Sequence, residues 1–349
     1  MFSSYNPADV EILLKDISGL VTPLGTSERE AKIQSGIHYS EMLPLEYTPS
    51  EQYLKIFHQT LKTHAAISAQ AVASVAQKIW IEKGANAAIV SLARAGTPIG
   101  ILIKRYISQR YQVSVQHYTI SIIRGKGIDK NAMKHILAHH KPSDIQFVDG
   151  WTGKGAIQRQ LTEAVKDYEG VSDSLAVLSD PAGIADKCGT YADFLIPNSC
   201  LNSTVSGLLS RTFFRSDIIG PNDYHGAHFY RELVKDDLTY YFIDAVEKHF
   251  TYCEPILHET RPDHTGLDEV NQICQRFGVS NINFVKPSIG ETTRVLLRRV
   301  PWKILVHSLS DFDHLGHIYQ LAQEKNVEVN EYPLKNYKAC GIIKNTADN

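Results

Sequence analysis

The sequence predicts an α/β chain, with a doubly wound, mainly parallel sheet followed by a small α/β/α unit. Three observations carry that reading. Strand-like apolar runs alternate with helix-spaced segments through most of the 349 residues, the pattern of βαβ crossovers. Two of the strand ends run into small-residue turns that open helices, Arg94-Ala95-Gly96 and Gly150-Trp151-Thr152-Gly153-Lys154-Gly155, and open α/β sheets collect their ligands at such ends. An aperiodic stretch with two prolines, 254–266, then sets off a shorter strand–helix alternation, as a linker does. The expected organisation is a first domain over 1–253, a linker over 254–266 and a second domain over 267–349.

The elements follow in order. Residues 7–17 are expected to form a short helix, with Val10, Leu13, Leu14 and Ile17 on one face. Residues 27–50 carry charge and aromatic rings without periodicity, as a hood or a surface extension would. A long helix over 50–83 repeats apolar positions through Leu54, Phe57, Leu61, Ala65 and Ile67, and Gly84 stops it. Residues 87–92 read as a buried strand and 99–111 as a helix, with Pro98 in the favoured first turn. A strand over 113–123 runs into Arg124-Gly125-Lys126-Gly127-Ile128-Asp129, two cations on a glycine-flanked loop.

Residues 145–148 are β-branched and aromatic, hence a strand, and Asp149 stands at its carboxyl end before a helix over 156–168. Further strands are expected over 175–178 and 193–196, and a helix over 229–234. The second domain alternates helix 267–277, strand 283–285, helix 291–299, strand 303–307, helix 312–325 and strand 327–332.

Glycines let backbone N–H groups close on an anion, and a following helix points its positive end there. Loop 150–155 is therefore a candidate phosphate cradle, and Arg124 with Lys126 a candidate clamp. From the residues alone, each also reads as an ordinary tight or solvated turn. The spacing is not that of a P-loop: only Trp151 and Thr152 separate Gly150 from Gly153-Lys154, and Gly155 stands where a hydroxyl is required.

Composition bounds the rest. The chain is 43% apolar and 21% charged with a formal net charge of −2, which excludes a global pull toward nucleic acid or membrane. No apolar run reaches a membrane span, and Met1-Phe2-Ser3-Ser4 lacks a signal-peptide pattern. Five cysteines without C-x-x-C spacing imply a reduced, cytoplasmic protein with no zinc site. Locally, Arg276, Lys286, Arg294, Arg298, Arg299 and Lys303 face one acid, Glu291, a candidate phosphate-backbone footprint or a solvated basic face.

The strand-acid-Gly-Thr-Gly arrangement around Asp149 resembles the ribose-phosphate loop of the type I phosphoribosyltransferases. That resemblance implies Asp149 on the ribose hydroxyls and Thr152, Gly153 and Gly155 around a 5′-phosphate, with Lys154 of the same loop as a candidate cation for it. It also implies Arg94, Ala95 and Gly96 at a pyrophosphate, and Arg124 and Lys126 on a catalytic loop. Gly150 stands where that family has a second acid. D-G-W-T-G-K-G, I-R-G-K-G-I-D and N-S-T-V-S-G-L-L-S-R-T together resemble the StiP family of tellurite-resistance and stress gene clusters. Those proteins join a phosphoribosyltransferase-like domain to a Pelota-type RNA-binding domain.

Gly290-Glu291-Thr292-Thr293-Arg294 is similar to the Pelota N-E-T-T-K segment, with glycine in place of asparagine. It implies RNA contacts by Glu291 and Arg294, with Lys286 and Arg298 of the basic cluster as further candidates. The function implied is an enzyme acting on a 5-phosphoribosyl diphosphate-type substrate carrying Mg²⁺, with RNA as partner. Two alternatives stand beside it. One is a non-catalytic nucleotide sensor that controls RNA binding. The other follows the family's cysteine-protease label, with Cys200 as nucleophile and His225 or His228 as base.

Overall fold

Gly84 ends the longest element of the chain, and that element fixes the layout of the first unit. Helix Glu51–Lys83 starts at Ser50, whose side chain accepts from Tyr53 N, and stops where Gly84 takes φ 56°. The computed structural model describes residues 2–263 and 265–344, without the side chains of Thr26, Glu30, Gln34 and Arg298.

Six strands form the main sheet, in the spatial order Glu11–Ile12, Gln116–Ile120, Ala88–Leu92, Ile145–Val148, Leu175–Ser179 and Lys187–Thr190. Every neighbouring pair is parallel. Successive side chains point to opposite faces. Ile89, Val148, Ala176 and Leu178 therefore pack with helices Glu51–Lys83, Gly96–Tyr111 and Thr239–Glu247. Val90, Leu92, Phe147 and Val177 pack with helices Lys130–His139 and Ala156–Val165 on the other face. A sheet covered on both faces is doubly wound, and its central strands are accordingly apolar throughout.

The neighbours Ala88–Leu92 and Ile145–Val148 send their chains to opposite faces, one to helix Gly96–Tyr111 and the other to helix Ala156–Val165. Their loops part there and leave a crevice. Gly96 makes the approach possible: a Cβ on it would lie 2.5 Å from the Val148 carbonyl oxygen.

The second unit is a four-stranded sheet in the order Val285–Pro287, Ala339–Ile343, Pro301–Val306, Val329–Glu331. Ala339–Ile343 runs antiparallel to both its neighbours. Helices Ile289–Arg298 and Phe312–Glu324 cover one face and Gly266–Phe277 the other, making the expected α/β/α sandwich. Its core is continuous with the first unit's, since Ile289, Leu296 and Leu315 share a cluster with Ile56 and Phe57.

Four expectations are corrected. Residues 7–17 are extended rather than helical: Glu11–Ile12 pairs with Tyr118 and Thr119, and Lys15–Asp16 with Gly226 and Ala227. The strand expected over 193–196 is Lys187–Thr190 instead, while Phe194, Leu195 and Ile196 are a buried loop under the long helix. The cationic loop after Gln116–Ile120 is the tip of a small antiparallel hairpin, Ile122–Ile123 with Gly127–Ile128. Residues 231–236 form a 3-10 helix, Arg231–Asp236, followed by the unforeseen helix Thr239–Glu247.

Candidate functional site

The switch-point crevice has a volume of about 220 Å³, and both units line it. The first contributes Ala95, Arg124, Asp149, Trp151 and the loop from Thr152 to Gly155; the second contributes Lys286, Pro287, Glu291 and Arg294. The expected phosphoribosyl residues and the expected RNA-contacting residues therefore meet in one place.

Asp149 sits where Ile145–Val148 ends, its N–H bonded to the Ala176 carbonyl at 3.0 Å. One carboxylate oxygen accepts the Gly150 N–H at 2.8 Å. Burial pushes its pKa up to about 6, against that hydrogen bond and Arg294. Thr152 donates its hydroxyl to Asp180, and the Gly153 carbonyl accepts from Tyr337 Oη of the second unit at 2.5 Å. Gly155 takes φ 74° directly before helix Ala156–Val165, a left-handed turn that suits glycine.

Lys154 does not point into open space. Its ammonium donates to the carbonyls of Ile282 and, at 3.1 Å, Val285. Burial lowers its pKa to about 8, with Lys286 adding repulsion. Burial likewise lowers Lys286, helped by Arg299, Arg124 and Arg211. Glu291 is the counter-charge: burial would raise it, yet Arg294, Lys286 and Lys154 hold it below the ordinary carboxylate range. Arg294 lies over the Trp151 ring, 4.6 Å from its centroid, and bonds Glu291 at 3.3 Å. Cations thus outnumber carboxylates around this crevice, the electrostatics of an anion site.

The Gly290-Arg294 segment divides by direction. Thr292 and Thr293 are buried, with Thr293 Oγ1 bonded to the Ile289 carbonyl at 2.7 Å and to His317 at 2.9 Å. A Cβ on Gly290 would lie 3.5 Å from Ser199 Oγ, an ordinary contact, so this helix start faces the first unit without requiring glycine there. Lys286, Glu291 and Arg294 face the crevice. The side chain of Arg298 lies outside the described residues.

The remaining expected residues are held by part of segment 27–50, for which the sequence left a hood and a surface extension open. Arg94 pairs with Glu46 at 2.7 Å and bonds the Leu209 carbonyl at 2.8 Å. Ala95 lines the crevice, whereas Gly96 lies behind it against Val148. Lys126 pairs with Glu41 at 3.3 Å, and the Arg124 guanidinium lies over Tyr39 at 5.3 Å. His38 Nε2 also lies 3.0 Å from the Arg124 carbonyl oxygen. Residues 38–46 are thus a strap over the cationic hairpin and Arg94. The run of rings and acids there was its signal in the sequence. Trp151 also went unassigned, although it stands inside the glycine loop.

Cys200 is 1% exposed, and its thiol lies 4.0 Å from Thr60 Oγ1. His225 is bonded to Ser121 Oγ at 2.8 Å and tilts against Phe214, while His228 packs on Tyr230. Burial raises the thiols of Cys188, to about 11, and of Cys253, Cys274 and Cys340. No helix among the described residues is long and apolar enough to cross a membrane.

A family model described as the tellurite-like stress resistance cysteine protease StiP matches residues 3–247. A second, for the PELOTA RNA-binding domain, matches residues 264–345. A relative named Cysteine protease StiP, from Acinetobacter baylyi (strain ATCC 33305 / BD413 / ADP1), is 34% identical over 362 residues, covering 98% of this chain and 94% of its own. Among solved structures, the Helicobacter pylori xanthine-guanine-hypoxanthine phosphoribosyltransferase aligns at 16% identity with a TM-score of 0.22, covering 33% of this chain and 70% of that one. That last likeness is too distant to carry an argument.

Proposed function

We propose that this chain, which belongs to the StiP family, is a phosphoribosyltransferase-like enzyme whose RNA-binding domain forms one wall of its ribose-phosphate site. The observation that carries this is the crevice itself. It lies at the switch point of a doubly wound sheet, between the 149–155 loop and Lys286, Glu291 and Arg294. Its volume of about 220 Å³ falls below the roughly 300–1,000 Å³ of drug-sized pockets, which suits a small phosphorylated sugar.

In this reading Lys154, Lys286 and Arg294 attract the phosphate, and Asp149 accepts from a ribose hydroxyl. Arg94 is set aside as structural, because Glu46 already neutralises it. A substrate diphosphate carries Mg²⁺, which supplies charge neutralisation. Asp149 is a carboxylate oxygen donor of the kind that ion takes; its pKa is pushed up to about 6 by burial, with Arg294 already acting against that rise.

The non-catalytic sensor is the second reading. It is favoured by the single carboxylate at the strand end and by the pairing of Lys126 with Glu41. The protease reading ranks behind both. Cys200 is 1% exposed, whereas reactive cysteines sit in partially exposed surroundings.

The test is thermal denaturation of the full chain with ribose 5-phosphate, and with 5-phosphoribosyl diphosphate plus Mg²⁺. A ligand at about 100 times its Kd adds about 2.7 kcal/mol of apparent stability. No shift with either ligand refutes both nucleotide readings. A shift without release of pyrophosphate favours the sensor over the enzyme.

A further inference from the structure

A sugar phosphate and an RNA make the same demand on the second unit. Residues 264–345 match an RNA-binding domain, and RNA phosphates are held by lysines, arginines and helix N-termini. The second unit gathers those groups in one place: Lys286, Arg294 and the start of helix Ile289–Arg298. Lys303, by contrast, is already neutralised by Glu328 at 2.8 Å.

The first unit covers that place. The Asp193 carboxylate accepts the Ile289 N–H, 3.1 Å from each oxygen, and so stands at the helix start as an anion would. The Ser199 carbonyl accepts from Arg294 Nε at 3.4 Å, and the Trp151 ring lies against the same guanidinium. Tyr337 Oη and Asn336 Nδ2 donate to the Gly153 and Pro181 carbonyls at 2.5 and 3.0 Å. What stays open is the crevice of about 220 Å³, room for a sugar phosphate and none for an RNA chain. RNA therefore reaches Lys286 and Arg294 only when the second unit moves off the first. The joint suits such a movement. Residues 254–263 connect the units without helix or strand and are exposed but for two prolines, Pro255 and Pro262. Domains of one chain move relative to each other unless their interface is large and apolar. Here the apolar contact of Ile289, Leu296 and Leu315 with Ile56 and Phe57 is joined by the polar bonds just described.

We propose that ribose-phosphate binding and RNA binding exclude one another in this chain: a sugar phosphate bridges the two walls of the crevice and holds the units together, whereas RNA takes Lys286 and Arg294 only after the units part. This rests on the ribose-phosphate reading above, applies to the enzyme and the sensor alike, and states how that site is regulated.

The test uses the full chain, with a 3′-labelled RNA hairpin followed by fluorescence anisotropy and ribose 5-phosphate followed by calorimetry. Ribose 5-phosphate at about 100 times its Kd is expected to weaken RNA binding roughly 100-fold, the mass-action factor for exclusive ligands. Tyr337→Phe, which removes the bond to Gly153, and Asp193→Ala are both expected to bind the RNA more tightly and ribose 5-phosphate more weakly. Each roughly tenfold rise in the parted fraction tightens RNA binding by the same factor. Weakening of both ligands by Asp193→Ala marks a lost fold and leaves Tyr337→Phe to decide. Adding Lys286→Ala to Tyr337→Phe is expected to abolish the gain in RNA affinity. RNA affinity indifferent to bound ribose 5-phosphate, no gain with Tyr337→Phe, a gain that survives Lys286→Ala, or no RNA binding by any form overturns the proposal while the ribose-phosphate reading stands. Absence of ribose 5-phosphate binding in calorimetry refutes that reading instead, and the RNA affinity of Tyr337→Phe still decides whether the first unit masks the wall.

Discussion

Asp193→Ala is predicted to loosen the second unit from the first. Asp193 is 4% exposed and lies in the buried loop under the long helix. Its carboxylate accepts the Ile289 N–H, 3.1 Å from each oxygen, and the Lys338 N–H at 2.9 Å. Both donors belong to the second unit, and Ile289 opens the helix that carries Glu291 and Arg294. Alanine leaves two N–H groups, one buried and one partly buried, without that acceptor. At about 1–3 kcal/mol for each orphaned group, the loss is about 2–6 kcal/mol. Asparagine keeps one carbonyl oxygen and is predicted to fall between.

The carboxyl also gives the contact a pH signature. Burial pushes Asp193 up to about 7, against the N–H donors and Lys338. The folded chain therefore keeps a proton that the unfolded chain sheds from about pH 4. The stability this contributes is complete below the unfolded value and is lost as pH rises toward 7, by up to about 1.4 kcal/mol per pH unit. Urea unfolding of the full chain, followed by circular dichroism and by tryptophan fluorescence, reads both effects, since Trp151 stacks on Arg294 across the boundary. An alanine variant within about 0.5 kcal/mol of the parent, or an asparagine variant with the parent's pH slope, refutes the reasoning.

Three further outcomes are expected. Glu46→Ala leaves Arg94 largely buried with its charge uncompensated, and thermal or urea unfolding should register a loss of about 3–5 kcal/mol; a loss near zero removes the strap as a structural element. Lys154, lowered to about 8, is charged below that value, so ribose 5-phosphate affinity in calorimetry should fall as pH rises through 8, and the Lys154→Ala variant should lose that dependence. Cys200→Ser should leave ribose 5-phosphate affinity unchanged; a purified protein that cleaves a peptide and loses cleavage with this change restores the protease reading.

The parts of the fold legible in the sequence were those governed by local chemistry. Residues 145–148 are β-branched and aromatic between turn formers, and the strand spans those residues. Ser50 and Gly84 punctuate the long helix at its observed ends. Elsewhere, contacts distant in sequence decided the outcome. Val10, Leu13, Leu14 and Ile17 have helical spacing, yet they are buried because the chain is drawn out beside Gln116–Ile120 and Gly226–Ala227. Phe194-Leu195-Ile196 is as apolar as a strand, and an apolar run does not distinguish a strand from a loop pressed under a helix.

The site divides in the same way. The 149–155 loop was legible because its glycines and acid are contiguous. Its opposite wall was legible only as a separate basic cluster, because the Lys154 bonds to Ile282 and Val285 join residues more than a hundred positions apart. The strap was legible as an oddity, a stretch of rings and acids without period. Its pairing of Glu46 with Arg94 and Glu41 with Lys126 was not.

The central claim is that one site is built from both units, and Lys286 tests it most directly. It belongs to the second unit, lines the crevice, and sits beside Glu291. Isothermal calorimetry of ribose 5-phosphate against the full chain and against Lys286→Ala, at equal melting temperature, is the measurement. The expected result is binding by the parent and roughly tenfold weaker binding by the variant, the loss of one charge-assisted contact. Equal affinity for the two proteins contradicts the account, since the site would then belong to the first unit alone.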